Sequence, residues 1–189
     1  MGGQQLHVAE VGVDIGATTC EALKFLDKND TYYIFDFDFI IEELLNDLKG
    51  LEYAKSNIVG CGNTKKLYDS YAWSLQKLYK EMKRKPVFNL VYLDGAHTFF
   101  HDGLAICILK KMIAHGGILL LDDMDWTIKE SPTCNPGVNP KILDQYTDEQ
   151  METEQVAIAV ELFLEEAPEW EEITEHMENS PRRKAYRRL

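Results

Sequence analysis

Five short apolar runs alternate with segments of helical periodicity between residues 6 and 121, and this alternation limits the possible folds more than any other feature. The runs cover residues 6–13, 31–37, 57–61, 87–93 and 118–121. Strands that are apolar along their whole length are typical of parallel sheets with both faces covered, and helices usually connect such strands. We therefore expect an α/β fold with a doubly wound, mostly parallel sheet and helices on both faces.

The rest of the chain completes this arrangement. Helical spacing predicts helices over residues 17–26, 40–48, 65–83, 102–115 and 147–166, with Gly116 and Gly117 ending the fourth. Residues 126–146 contain three prolines and resemble a loop insertion, and residues 169–174 and 184–188 are candidates for an antiparallel strand pair. We expect one domain over residues 1–189.

Composition excludes several classes of protein. A net charge of −12 disfavours binding to a nucleic-acid backbone, and the sequence has neither a signal peptide nor a run of about 20 apolar residues that could span a membrane. Four scattered cysteines predict free thiols and a cytoplasmic location. Residues 142–181 lack Lys and Arg, whereas a basic tail occupies 182–189; the tail either docks on the acidic segment or recruits an anionic substrate or partner.

A glycine loop follows the first run, at the edge where doubly wound sheets bind ligands. It has the pattern Glu10-x-Gly12-x-Asp14-x-Gly16 and leads into a helix whose first N–H groups are free. Asp36 ends the second run, where a carboxylate can accept hydrogen bonds from ribose hydroxyls. The side chain of Asp14 would repel a pyrophosphate, so the loop favours a nucleoside ligand without phosphate over a dinucleotide.

Carboxylates also follow the fourth and fifth runs. Asp94 ends one, and Asp122 and Asp123 end the other. Three carboxylates in one cleft would repel each other and raise their pKa values unless a cation such as Mg²⁺ lay between them. His97, three residues after Asp94, is a candidate general base, and otherwise an ordinary hydrogen-bonding loop residue.

These segments resemble a known family. The glycine pattern is similar to motif I of class I S-adenosylmethionine-dependent methyltransferases. Residues 91–97, Val-Tyr-Leu-Asp-Gly-Ala-His, together with the Gly-Gly-x-x-x-x-Asp-Asp pattern that ends at Asp123, resemble small-molecule O-methyltransferases related to macrocin O-methyltransferase and cephalosporin hydroxylase. Residues 156–164 resemble a helix common in that group.

The resemblance implies a Rossmann-like methyltransferase fold with seven strands, the seventh antiparallel. It also implies S-adenosylmethionine as cofactor and a divalent metal in the metal-dependent members. The candidate cofactor contacts are Glu10, Gly12, Asp14, Gly16, Asp36, Gly62, Asn63 and Asp94. The candidate metal ligands are Asp94, Asp122 and Asp123, and the candidate catalytic residues are Asp94 and His97. Ala96 stands where some members carry an acid, so the base falls to His97 or to the metal-bound oxygen.

We therefore expect a methyltransferase that methylates an oxygen of a hydroxylated small molecule with help from Mg²⁺ or a similar cation. The first strand begins close to residue 1, without the N-terminal helices that cover the substrate pocket in the family. This motivates a second hypothesis, a non-catalytic domain that binds cofactor or a partner. A nicotinamide-dependent oxidoreductase is a weaker third. Homo-oligomerisation stays open.

Overall fold

Seven strands form one sheet in a computed structural model that describes residues 5–176 and 182–189. The strands are β1 (His7–Val11), β2 (Thr31–Phe35), β3 (Asn57–Gly60), β4 (Phe88–Leu93), β5 (Ile113–Leu121), β6 (Trp170–Glu172) and β7 (Lys184–Arg188). Their spatial order is β3-β2-β1-β4-β5-β7-β6. The first five are parallel, and β7 lies between β5 and β6, antiparallel to both. The predicted doubly wound seven-stranded sheet is confirmed.

Helices cover the two faces of this sheet. They are α1 (Ala17–Leu23), α2 (Asp38–Asp47), α3 (Tyr71–Glu81), α4 (Phe99–Met112), α5 (Asp148–Glu152) and α6 (Gln155–Val160). Successive residues of β1 belong to two different cores: Val8 packs with α1 and α2, whereas Ala9 packs with α3, α4 and α6. Among the described residues, no helix is long and apolar enough to span a bilayer.

The fifth strand begins earlier than predicted. Gly116 and Gly117 do not end a helix, because α4 already ends at Met112 and both glycines lie inside β5. The pairing of β4 with β5 is irregular between Phe88 and Leu90. A Cβ on Gly117 would lie 2.8 Å from the carbonyl oxygen of Phe88. Gly117 therefore allows a close approach of the two strands.

Three predicted helices are shorter than expected. The helix predicted at 17–26 ends at Leu23. The helix predicted at 65–83 starts only at Tyr71, because the Asp69 carboxylate accepts hydrogen bonds from the backbone N–H and the hydroxyl of Thr64 at 2.8 and 2.7 Å. Such local side-chain bonds compete with helix formation. The helix predicted at 147–166 is divided into α5, α6 and a π-helical turn at Glu161–Glu165. The break after α5 falls at Thr153, whose backbone is extended.

The insertion at residues 126–146 has a small core of its own. Ile128 and Ile142 are buried together with Met151 of α5, and Trp126 and Tyr146 pack against them. A short 3₁₀ helix, Pro140–Asp144, lies within it. The insertion is therefore a packed wall beside the end of β5.

Candidate functional site

A cavity of about 760 Å³ opens at the carboxyl ends of the parallel strands. Its lining combines the glycine loop with residues that follow β2 and β4. The lining includes Glu10, Gly12, Asp14, Asp36, Asp94 and His97. Six candidate residues from three separate sequence segments thus share one cavity, which has the size of a small-molecule site.

The glycine loop needs its glycines for different reasons. Gly12 has a φ of 84°, and a Cβ there would lie 1.8 Å from the carbonyl oxygen of Asp94. Gly16 has a φ of 75°, precedes α1, and would bring a Cβ to 2.3 Å from Leu44. Asp14 also has a positive φ, 42°. The loop therefore follows a path that packs it closely against the β4 loop and α2.

Asp36 anchors this loop. Its Oδ2 accepts hydrogen bonds from the backbone N–H groups of Val13 and Asp14 at 2.9 and 3.3 Å, and its Oδ1 accepts one from Phe37 at 2.6 Å. The predicted ribose contact stays a prediction. The structure shows a role that was not predicted, because this carboxylate holds the glycine loop in place.

Glu10 lies beneath the loop and is 1% exposed. Its Oε2 accepts hydrogen bonds from the hydroxyls of Thr19 and Tyr32 at 2.5 and 2.8 Å. Burial raises the pKa of Glu10 to about 7, the two hydroxyl bonds oppose that rise, and the charges of Asp94 and Asp36 add to it. Glu10 is therefore a buried acid that titrates near neutral pH.

Gly62 and Asn63 follow β3, at the side of the cavity. The Asn63 side chain is buried and donates from Nδ2 to the carbonyl oxygen of Asp36 at 2.9 Å. Asn63 also lines a smaller cavity of about 200 Å³ together with Gly12 and Asp36. Gly62 packs against Asp38, where a Cβ would lie 1.8 Å from Oδ1. Asn63 thus lies beside the glycine loop, whereas Gly62 makes room for α2.

Three donors converge where β4 and β5 end. The Nε2 atom of His97 lies 3.3 Å from Oδ2 of Asp123 and 3.9 Å from Oδ1 of Asp94. One ligand atom from each residue lies within 4.8 Å of the other two. His97 and Asp123 both have a φ of 56°, and the Trp126 ring lies 5.1 Å from the His97 ring. Desolvation is the largest influence on Asp94 and raises its pKa, while nearby His97 lowers it.

Asp122 lies next to this group but has other partners. Its Oδ2 accepts hydrogen bonds from the Tyr92 hydroxyl and from Nε of Arg183, the latter at 2.9 Å, and its Oδ1 accepts one from the backbone N–H of Asp123 at 2.8 Å. The structure thus gathers Asp94 and Asp123 with His97 and pairs Asp122 with Arg183; the metal ligands predicted from the sequence, Asp122 among them, stay a prediction.

Two arginines of the basic tail belong to the site, which sequence reasoning did not foresee. Arg182 forms an ion pair with Asp123, and Arg183 forms one with Asp122. The signal was present: in an antiparallel pair that aligns Lys184 with Leu121, the residues before 184 lie beside those after 121. Farther along the tail, Lys184 pairs with Glu165 at 2.6 Å, as expected for docking on the acidic segment.

A second cavity, of about 930 Å³, lies between this cluster and the insertion. Its lining includes His97, Asp123, Trp126, Thr133, Cys134 and Arg182. Five residues line both this cavity and the first: Asp14, Phe37, Gly95, His97 and Thr133. The two cavities therefore adjoin along a border to which the glycine loop, the β4 loop and the insertion all contribute.

No family model matches the sequence, and the search of curated proteins finds no match. Solved structures do resemble it. An O-methyltransferase from Bacillus cereus in complex with SAH has a TM-score of 0.61 at 11% identity, over 96% of this chain and 74% of that one. The O-methyltransferase TomG from Streptomyces achromogenes in complex with SAM has a TM-score of 0.59 at 11% identity, over 97% and 73%.

A putative O-methyltransferase from Klebsiella pneumoniae is similar to the same degree, with a TM-score of 0.59 at 11% identity over 96% of this chain and 72% of that one. At such identities the likeness concerns the fold. It confirms that the chain has the Rossmann-like methyltransferase fold implied by the sequence resemblance.

Proposed function

We propose that this chain is an S-adenosylmethionine-dependent methyltransferase that methylates an oxygen of a hydroxylated small molecule. The observation that carries the proposal is that two cavities adjoin along a border that includes Asp14 and His97: the first extends along the glycine loop to Asp36, and the second extends along the insertion. A methyl donor and an acceptor in these cavities would have their reacting atoms close together. The shared fold with O-methyltransferases supports it.

The first cavity fits the cofactor chemically. Gly12 lines it without a side chain, and Asp36 offers carboxylate oxygens at the end of β2. Asp14 lines the cavity with a negative charge, which suits the ammonium and sulfonium groups of S-adenosylmethionine better than a pyrophosphate. The bound cofactor would supply the methyl group from its sulfonium.

The donor set at Asp94, His97 and Asp123 fits a divalent cation. Two carboxylates and one imidazole suit Mn²⁺, which accepts both oxygen and nitrogen ligands. They suit Mg²⁺ less well, because Mg²⁺ prefers oxygen ligands alone. A cation bound there would orient the acceptor oxygen and lower its pKa. In this arrangement His97 serves as a ligand, so the proposal replaces the base role predicted from the sequence. The Trp126 ring packs beside the His97 ring, with 5.1 Å between the ring centres.

Titration calorimetry with SAH, S-adenosylmethionine and NAD tests the cofactor. We expect both S-adenosyl compounds to bind, and Asp36→Ala to weaken SAH by about tenfold or more, since a charge-assisted contact and the loop anchor are lost together. Asp47→Ala, an exposed acid at the end of α2, is the matched control and should bind like the wild type. Binding of NAD with no response to either S-adenosyl compound would contradict the proposal.

Turnover separates the enzyme from a non-catalytic binding domain. A panel of catechols and sugar derivatives, incubated with S-adenosylmethionine and Mn²⁺, should yield SAH and a methylated product. Tight binding of SAH without product from any hydroxylated acceptor would favour the non-catalytic hypothesis.

A further inference from the structure

Arg182 holds the buried carboxylate at the centre of the proposed cation site. Its guanidinium forms an ion pair with Oδ1 of Asp123, whose other oxygen faces His97. The side chain of Asp123 is 10% exposed, whereas that of Arg182 is 56% exposed. The arginine therefore reaches the site from solvent and meets an acid that is nearly enclosed.

The backbone of Arg182 is fixed independently of this ion pair. Its carbonyl oxygen accepts a hydrogen bond from the N–H of Met124 at 2.9 Å. Asp125 offers a second partner, since its Oδ1 lies 3.6 Å from Nε of Arg182 and its side chain is 51% exposed. The guanidinium can thus leave Asp123 without disturbing the strand and still keep a carboxylate partner.

Arg183 is exposed to a similar degree but differs from its neighbour in its contacts. Both its Nε and one terminal nitrogen lie 2.9 Å from Oδ2 of Asp122, and its guanidinium lies 5.9 Å from the centre of the Tyr92 ring. Several contacts of one side chain hold better than a single ion pair. Arg183 therefore stays with Asp122, and only Arg182 is free to exchange.

The charges of the site point to the reason for such an exchange. Asp94 and Asp123 together carry two negative charges, which balance a divalent cation, and the guanidinium of Arg182 cancels one of them. A cation placed beside Asp123 while Arg182 remains there would also repel the guanidinium. Arg182 and a divalent cation therefore compete for the Asp123 carboxylate.

We propose that Arg182 is an exchangeable counter-ion: it neutralises Asp123 in the absence of a divalent cation and moves to Asp125 when one binds. This inference rests on the cation site of the proposed function. It makes Arg182 a residue that sets the affinity for the metal, and hence the cation concentration at which the site is filled.

Calorimetric titration of Mn²⁺, without cofactor or acceptor, measures that affinity. We expect Arg182→Gln to bind Mn²⁺ about tenfold more tightly than the wild type, because one opposing charge at a partly exposed position is removed. Arg182→Lys keeps the charge and should stay within about twofold of the wild type. Arg187→Gln changes the net charge equally but pairs with Glu171 elsewhere, and should also stay within about twofold.

A second measurement uses the unaltered protein. In ¹⁵N-labelled protein the Nε–H resonance of Arg182 should shift on saturation with Mg²⁺, whereas that of Arg183 should keep its position. Equal Mn²⁺ affinity in wild type and Arg182→Gln, equal tightening by Arg187→Gln, an unchanged Arg182 resonance, or no Mn²⁺ binding at all would each overturn the inference. SAH titration of the same samples reports on the methyltransferase proposal separately.

Discussion

Single residues in this site are set by contacts that are distant in sequence. Asp122 looked equivalent to Asp123 because both follow β5. They differ in their partners: Asp122 is bonded to Tyr92 and to Arg183, which is 61 residues away in the chain. Asp123 lies beside His97 and pairs with Arg182. Glu10, Gly12, Asp14 and the β4 loop could be predicted to share a cleft, because strand ends of a parallel sheet meet at one edge. Which carboxylate oxygen faces the cleft depends on hydrogen-bond and ion-pair partners from distant parts of the chain, and no local sequence pattern specifies these partners.

Glu10 gives a prediction at this scale. Its pKa is raised from 4.5 to about 7, so between these values the folded chain keeps a proton that the unfolded chain loses, and stability falls as pH rises through this window. Glu10→Gln, which stays neutral, should therefore be more stable than wild type at pH 8 by about 3 kcal/mol and nearly equal at pH 4.5.

Urea unfolding at the two pH values measures this difference. Glu42→Gln, an exposed substitution on α2, is the control and should match the wild type at both. A Glu10→Gln effect of the same size at pH 4.5 and pH 8 would mean that the carboxyl does not titrate between them.

Among the elements, the turn between β4 and α4 depends most on its neighbours. Asp102 of α4 is 1% exposed; its Oδ1 accepts a hydrogen bond from the Tyr71 hydroxyl at 2.5 Å and its Oδ2 one from the N–H of Thr98 at 3.1 Å. The Tyr71 hydroxyl in turn accepts a hydrogen bond from the N–H of Ala96 at 3.2 Å. Helix α3 thus holds the loop that carries His97.

Tyr71→Phe tests this connection. The substitution leaves the buried Asp102 without its hydroxyl donor and frees the Ala96 amide, so we expect a loss of about 1–3 kcal/mol in unfolding free energy and faster hydrogen exchange at Ala96. Tyr79→Phe is the control on the same helix, because its hydroxyl has no partner among the described residues. An unchanged hydrogen-exchange rate at Ala96 would show that the loop between β4 and α4 keeps its conformation without the Tyr71 hydroxyl.

Element boundaries were less predictable than element types. Periodicity identified the alternation of strands and helices from β1 to β5, but it extended α3 backwards through the turn that Asp69 forms. It also placed the start of α4 at Asp102. The helix begins at Phe99, where the Thr98 hydroxyl accepts a hydrogen bond from the N–H of His101 at 3.3 Å and Gln155 binds the first free N–H. Caps of this kind depend on one side chain and on tertiary neighbours.

At the scale of the whole molecule, β7 joins two parts of the sheet. It pairs with β5 on one side and β6 on the other, and Tyr186 is 1% exposed between them, with its hydroxyl 2.9 Å from Glu165. The sequence patterns predicted that β6 and β7 pair. The antiparallel orientation of β7 against the parallel strands was implied only by the family resemblance. The alternation of side chains along a strand specifies neither the strand it pairs with nor the direction of the pairing.

Tyr186→Ala should therefore destabilise the whole sheet. We expect a loss of about 3–5 kcal/mol, as for other large aromatic side chains removed from a core, with unfolding still in one transition. Arg187→Ala, at the next and more exposed position, should cost less than about 1 kcal/mol. Circular dichroism in urea measures both, and a loss below that of Arg187→Ala would mean that β7 contributes little.

The central position of β7 has a consequence for how the chain matures. Strand β5 ends in the apolar sequence Ile-Leu-Leu-Leu and leaves the ribosome well before β7 is made. Until β7 is made, β5 is an unpaired, apolar edge strand. Chaperones bind such edges, and strands of other nascent chains can pair with them. Delays in translation between these strands would therefore lower the yield of folded protein without changing any contact of the finished molecule.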